Sequence, residues 1–262
     1  MLKDLCFEVI QTCPNKCKFC SSNSSQDKTT IIALEQFKRT VMHFIEQGGI
    51  EEISISGGEP FLHPDLFEMI KFSKEKGIRT VLFTSGIKRA SKMSEKMLEY
   101  IKKKCESCLK EIEECEPWNE KLKRNVITYY NKLANSDMFA SITREECEKL
   151  KMLGLDKIVF DWQAVDTEID NELMGRKGLN TCLMDSLIRA RMVGLNVDVH
   201  FIPMKQNYRQ FPDIIECLEI ANIKNISILN FVPQGRGNEY KEELMLNQEE
   251  LKQFSEILKK EK

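Results

Sequence analysis

Leu5–Cys20, LCFEVIQTCPNKCKFC, sets a short apolar run directly before three cysteines spaced C-x3-C-x2-C. The run Leu5–Ile10 reads as a β-strand, and Cys13, Cys17 and Cys20 fall on the loop that follows it. No fourth ligand follows nearby. Three thiolates on a tight loop can hold three corners of a cubane 4Fe–4S cluster and leave the fourth iron open, whereas ferredoxin sites close all four positions with cysteine. Such a cluster does chemistry beyond passing electrons. The plain alternative is zinc, which in structural sites wants four ligands, usually Cys or His. The three histidines, His43, His63 and His200, do not continue the loop at finger-like spacing. Phe19, just before Cys20, is placed to shield a cluster from water or simply to pack.

Working outward from this stretch, the 262 residues suffice for one large α/β domain, read here as a single domain over residues 1–262. Lys and Arg number 39 against 41 Asp and Glu, so charge gives no reason to expect nucleic acid or a membrane as partner. No apolar run is long enough to span a bilayer, and the N-terminal MLKDLCFEVI is too short and too acidic for an export signal. Ten cysteines in such a chain fit a reducing, cytoplasmic setting better than a disulfide framework. Most of the others read as small buried hydrophobes.

Short β-like runs alternate with amphipathic helical segments. Strands are expected at Leu5–Ile10, Glu52–Ser56, Arg79–Thr84, Lys157–Asp161, Asn196–Ile202 and Asn225–Phe231. Helices are expected at Leu34–Gln47, Asp65–Lys76, Thr143–Met152, Asn180–Val193, Phe211–Ala221 and Asn247–Lys260. Six β/α units in this order predict a parallel sheet or barrel with right-handed crossovers. Residues 87–141 break the alternation: they are Lys/Glu-rich and helical, without an obvious strand, and read as an insertion after the third strand.

In parallel barrels the working groups lie at the C-terminal ends of the strands. The cysteine loop, Gly57-Gly58-Glu59-Pro60, Thr84-Ser85-Gly86, Asp161 with Gln163, and Pro233-Gln234-Gly235-Arg236 all fall there. In Gly57–Pro60 two glycines let the backbone approach a ligand, and Glu59 offers a carboxylate to a cationic group. The plain alternative is a tight turn with a solvated Glu.

The cysteine loop followed by Gly57–Pro60 resembles the radical S-adenosylmethionine (radical SAM) superfamily, over nearly the whole chain except the insertion. Asp156–Asn180, DKIVFDWQAVDTEIDNELMGRKGLN, and Phe231–Arg236, FVPQGR, are similar to the branch containing the molybdenum-cofactor cyclase, sulfatase maturases and SPASM-type peptide-modifying enzymes. The resemblance implies a partial (β/α)6 TIM-like barrel in which Cys13, Cys17 and Cys20 ligate a 4Fe–4S cluster with one open iron. SAM would chelate that iron, with Gly57, Gly58 and Glu59 of the GGEP turn, completed by Pro60, receiving its amino group. Ser85 takes the place often held by Asn. Asp161 stands where a serine commonly contacts the ribose. An arginine often holds the SAM carboxylate; Met174 occupies that position, and Arg176, two residues on, is either its substitute or a surface cation.

The mechanism implied is one-electron reduction by a flavodoxin or ferredoxin, homolytic cleavage of SAM, and hydrogen abstraction from substrate by the 5′-deoxyadenosyl radical. A peptide or protein substrate is favoured. The alternatives are a small molecule in cofactor or nucleoside biosynthesis and, from another class, a non-catalytic iron–sulfur binding or regulatory protein.

The insertion carries Cys105, Cys108 and Cys115. At ~100° per residue these lie within about 80° of one another on a helix, together with Ile112, and Cys115 stands ~10 Å along the axis from Cys108. A packed apolar stripe is therefore expected, with no auxiliary cluster. The segment suits a solvated arm serving as lid or docking surface, to which Trp118, Tyr129 and Tyr130 could supply contact area. No cysteine follows Cys217; peptide-modifying relatives usually carry a cysteine-rich C-terminal extension for extra clusters, so either the enzyme does without them or the sequence is shortened.

Overall fold

Strand β1 (Asp4–Ile10) alternates exposed and buried side chains, and its Phe7 ring packs 4.6 Å from Phe37 on the first helix, α1 (Leu34–Glu46). The inner strands of the sheet are instead buried at consecutive positions, as parallel strands covered on both faces are. The computed structural model describes residues 3–91, 95–134, 138–176 and 181–261.

After α1 come β2 (Glu52–Gly57), α2 (Leu66–Glu75) and β3 (Arg79–Thr84). An excursion follows, made of β4 (Ile87–Ser91), α3 (Glu95–Cys115), α4 (Glu120–Ala134) and β5 (Met138–Ser141). The core resumes with α5 (Arg144–Met152), β6 (Lys157–Asp161), α6 (Thr167–Met174), α7 (Cys182–Met192), β7 (Val197–Phe201), α8 (Phe211–Ile220) and β8 (Asn225–Ile228). Two short helices, α9 (Arg236–Glu239) and α10 (Lys241–Leu244), lead to α11 (Gln248–Lys260).

The six core strands pair in parallel in the order β1-β2-β3-β6-β7-β8, and β8 does not close onto β1. Parallel strands joined through helices put every strand's C-terminal end on one rim. The fold is thus an open, partial (β/α)6 barrel. Its core lies between sheet and helices, where Ile53, Ile55, Leu82, Ile158, Phe160, Val199 and Phe201 are fully buried or nearly so. At the other rim, Asp156 accepts hydrogen bonds from the Thr80 amide (2.7 Å) and the Lys74 ammonium (2.5 Å), tying β6 to β3 and α2. No helix among the described residues is long and apolar enough to cross a membrane.

Three expectations need correction. The stretch 87–141 contains two strands: β4 and β5 form an antiparallel ribbon, Ile87 opposite Ser141, that anchors the α3–α4 hairpin. Such short strands carry too little periodicity to stand out. Helix α6 was not expected, because TEIDNELM is mostly polar, yet Asp166 caps its start and Gly175 its end. Strand β8 stops at Ile228 rather than Phe231, being an edge strand with a largely exposed face. Asn180, the first residue of the helix expected over Asn180–Val193, lies outside the described residues.

Candidate functional site

The cysteine loop leaves β1 at the rim and is held from several sides. Its own turns come first: the Cys13 amide donates to the Ser25 carbonyl (3.1 Å) and the Cys20 amide to the Cys17 carbonyl (3.2 Å). From the turn after β2, the Glu59 amide donates to the Thr12 carbonyl at 2.9 Å. From α6, the carbonyls of Met174 and Leu173 accept from the amides of Lys16 (2.9 Å) and Lys18 (2.8 Å). Gly175 ends α6 at φ +59°, and a Cβ there would stand 2.1 Å from the Lys16 carbonyl oxygen. From the segment between β8 and α9, Gly235 approaches so closely that a Cβ would meet the Ser21 carbonyl at 2.4 Å. Both positions therefore exclude a side chain. The neighbouring Arg236 is buried, donating to the carbonyls of Cys17 (2.9 Å) and Ser24 (2.5 Å) and to Asn23 Oδ1 (2.9 Å).

Cys13 is buried, and Cys17 and Cys20 are half-buried. Burial pushes the Cys13 thiol up to about 12, with Glu59 and Cys20 adding to it and the Asn15 amide and Arg236 opposing. Burial also raises Cys17 well above its ordinary value, reinforced by Cys13, Cys20 and Asp161 and opposed by Arg176. The three thiols, both arginines, Glu59 and Asp161 thus share one electrostatic neighbourhood.

Three features of this loop fit an iron–sulfur cluster. The donor set is three thiols. Asn15 Nδ2 and Ser24 Oγ are buried without a hydrogen-bond partner, on the same loop as the cysteines, and cluster sulfides accept such bonds. The Ser24 amide already donates to Cys20 Sγ at 3.4 Å. Zinc in a structural site would need a fourth ligand beside the loop's three thiols. His63 is engaged elsewhere, with Ile32 O on Nε2 (2.9 Å) and the Asp65 amide on Nδ1 (3.0 Å).

Glu59 is fully buried rather than a solvated turn residue. Its Oε1 accepts from Thr84 Oγ1 (2.7 Å) and the Phe61 amide (3.3 Å), and its Oε2 from the Ser85 amide (3.0 Å) and Ser85 Oγ (2.7 Å). A carboxylate offers about four acceptor sites, so protein donors occupy them all. Burial raises its pKa, and these hydrogen bonds from Thr84, Ser85 and Phe61 oppose the rise. Glu59 therefore welds the Gly57–Pro60 turn to the Thr84-Ser85-Gly86 turn one strand away. Pro60 is buried at the head of a short 3-10 turn, Pro60–Leu62.

Asp161, at the end of β6, accepts from Gln163 Nε2 at 2.6 Å. Burial pushes its carboxyl up to about 7; Gln163 and Arg176 oppose this, and Asp170 and Glu59 add to it. Arg176 is not a surface cation. It is buried, ion-paired to Asp170, and donates to Asn15 Oδ1 at 3.0 Å. The polar α6 that carries Asp170 supplies the partner a buried guanidinium requires. Met174 is buried beside Cys17, its Sδ 3.6 Å from Cys17 Sγ. Phe19 packs in an apolar cluster with Leu173, Met174, Met204 and Leu244. The roles of α6, Asn15 and Arg236 were not read from the sequence; the one available signal was the Asp166 and Gly175 pair that brackets α6.

The arm's cysteines stand in other surroundings. Cys105 and Cys108 are half-buried and Cys115 exposed, and Cys108 Sγ lies 3.4 Å from Tyr130 Oη on α4.

The profile of the Radical SAM superfamily matches residues 7–107, spanning the cysteine loop and both turns joined by Glu59. That match assigns residues 7–107 to the radical SAM superfamily. The family's cofactors are a 4Fe–4S cluster and SAM, and the loop's donor set agrees. Among curated relatives, the PqqA peptide cyclase of Bradyrhizobium diazoefficiens is 21% identical, covering 83% of this chain and 45% of its own. The probable GTP 3′,8-cyclase of Sulfolobus acidocaldarius is 22% identical, covering 91% and 59%. The crystal structure of Streptococcus suis SuiB bound to precursor peptide SuiA superposes with a TM-score of 0.59 at 17% identity, covering 94% of this chain and 48% of that one. The chain spans about half the length of the curated relatives it matches.

Proposed function

We propose that the chain is a radical SAM enzyme acting on a peptide or protein. The observation that carries the enzymatic reading is the meeting, at one rim, of a three-thiol loop with two turns welded together by the buried Glu59. Cys13, Cys17 and Cys20 would ligate the cluster. Gly57, Gly58, Glu59, Pro60, Ser85 and Asp161 would form the SAM pocket, with Arg176 beside it. Cluster and SAM, once bound, supply reductive cleavage of SAM and a 5′-deoxyadenosyl radical able to take hydrogen from an unactivated C–H bond. The protein binds, orients and excludes water. Glu59 fixes the spacing of the two turns, and Phe19 with Met204 and Leu244 keeps one side of the loop dry.

A peptide substrate is supported by the likeness to PqqA peptide cyclase and to SuiB, whose structure holds its precursor peptide. The exposed Trp118 and Tyr129 of the arm are the surface we assign to contact with it. A small-molecule substrate is the second reading, supported by the likeness to a GTP 3′,8-cyclase. Flavodoxin or ferredoxin would donate the electron, and ten free thiols suit the cytoplasm.

The test is anaerobic reconstitution, dithionite reduction and addition of SAM. The expected result is 5′-deoxyadenosine, with turnover stimulated by candidate peptides and not by nucleotides. Stimulation by nucleotides alone would select the second reading. A filled cluster with no 5′-deoxyadenosine would make the protein a non-catalytic iron–sulfur protein.

A further inference from the structure

Two arginines are buried around the cysteine loop, and they differ in one respect. Arg176 is neutralised by Asp170. Arg236 makes its three hydrogen bonds to neutral groups, two backbone carbonyls and the Asn23 amide oxygen, and no salt bridge is formed by it among the described residues. A buried charge without a counter-charge is costly, and proteins ordinarily pair it. Two of its acceptors, the Cys17 and Ser24 carbonyls, belong to the loop that carries the three thiols, and Arg236 itself is buried. A thiolate-bound cluster on that loop would supply the missing anion.

We propose that Arg236 is the positioning residue of the cysteine loop and the counter-charge of its cluster, so that it both holds the loop's shape and raises the cluster's reduction potential. This rests on the reading that Cys13, Cys17 and Cys20 hold a cluster. Physically, the planar guanidinium fork spans Cys17, Asn23 and Ser24, closing the loop into a ring, which an ammonium on a flexible stem cannot do with one geometry. A fixed positive charge behind an anionic cluster stabilises the more negative, reduced state, since cluster potentials respond to nearby charge and to burial. The same cation opposes the burial-driven rise of the Cys13 thiol.

Arg236→Met and Arg236→Lys separate the two roles. Iron retained against a chelator, the midpoint potential from an EPR-monitored redox titration, and far-UV circular dichroism are measured on each and on the parent protein. Both variants should keep the folded barrel and lose metal affinity ~10- to 100-fold, as when groups that orient metal ligands are removed. The Met variant's potential should become more negative, while the Lys variant, which keeps the charge, stays near the parent. A folded Met variant that loads no cluster, beside a Lys variant that does, also supports the proposal. Parent-like iron retention and potential in the Met variant would overturn it, and so would loss of the barrel fold in both variants. A parent protein that takes up no cluster would instead remove the functional reading on which the proposal stands.

Discussion

The molecule carries two sets of three cysteines in opposite surroundings. Cys13, Cys17 and Cys20 lie on an irregular loop gripped by the turn after β2, by α6 and by the segment between β8 and α9, with both neighbouring arginines buried. Cys105, Cys108 and Cys115 lie along one regular helix that packs on a partner helix and leaves Tyr100, Trp118 and Tyr129 exposed. Residue type and close spacing are shared; what differs is how the backbone that carries them is held. A helix satisfies its own backbone and leaves thiols to point where its pitch dictates, whereas a loop clamped by long-range hydrogen bonds can present thiols toward a common centre.

The largest expected effect breaks the comparison outright. Alanine at any one of Cys13, Cys17 or Cys20 should abolish 5′-deoxyadenosine formation while circular dichroism reports an intact barrel. Alanine at Cys105, Cys108 and Cys115 together should leave iron content and product formation unchanged. If the arm triple variant lost iron, the arm would hold a cluster after all.

Next comes Glu59→Ala. It removes a fully buried acceptor of four hydrogen bonds and leaves the hydroxyls of Thr84 and Ser85 and the Ser85 amide without it. Unfolding in denaturant should show a loss of about 3 kcal/mol, and SAM affinity should fall more than iron content. Equal loss of iron and SAM would mean that the two turns serve the cluster rather than the cosubstrate.

Acid distinguishes the barrel from the arm more gently. Partial burial would raise Asp156, but Lys74, the Thr80 amide and Arg79 outweigh it and hold its carboxyl below the usual value. The stabilisation is therefore complete above the ordinary carboxylate range and is lost as pH falls through the lowered, folded value, below about pH 4. Asp156→Asn should cost about 1 kcal/mol at neutral pH and flatten the acid limb of a thermal-denaturation series. An unchanged limb would show that the Lys74 pair does not contribute.

The smallest effect belongs to the arm. Trp118→Ala, at a side chain 77% exposed, should change stability by no more than about 0.5 kcal/mol and leave cluster and SAM cleavage alone. A larger destabilisation would mean that the arm packs where the structure leaves it free.

The core helices were legible because each is apolar on one face at a period of 3.6, and strands such as β3 and β6 because each is a short continuous apolar run between polar ends. The β4–β5 ribbon was hidden by shortness and α6 by polarity, although the Asp166 cap and the Gly175 end were in plain view. Spacing alone exposed the cysteine triad, since it is a local property. Glu59's partners at Thr84 and Ser85, Arg176's burial and Arg236's grip depend on chain segments brought together by the sheet, and no local pattern encodes them. A charged residue reads as solvated until its partner is known, which is why Arg176 passed for a surface cation.

The central claim is that three thiols leave one iron for SAM. EPR of the anaerobically reconstituted, dithionite-reduced protein, recorded with and without SAM beside iron and sulfide analysis, tests it directly. The account predicts about four irons and four sulfides per chain and a reduced-cluster signal that changes when SAM is added. Zinc in place of iron, or a cluster signal indifferent to SAM, would contradict it.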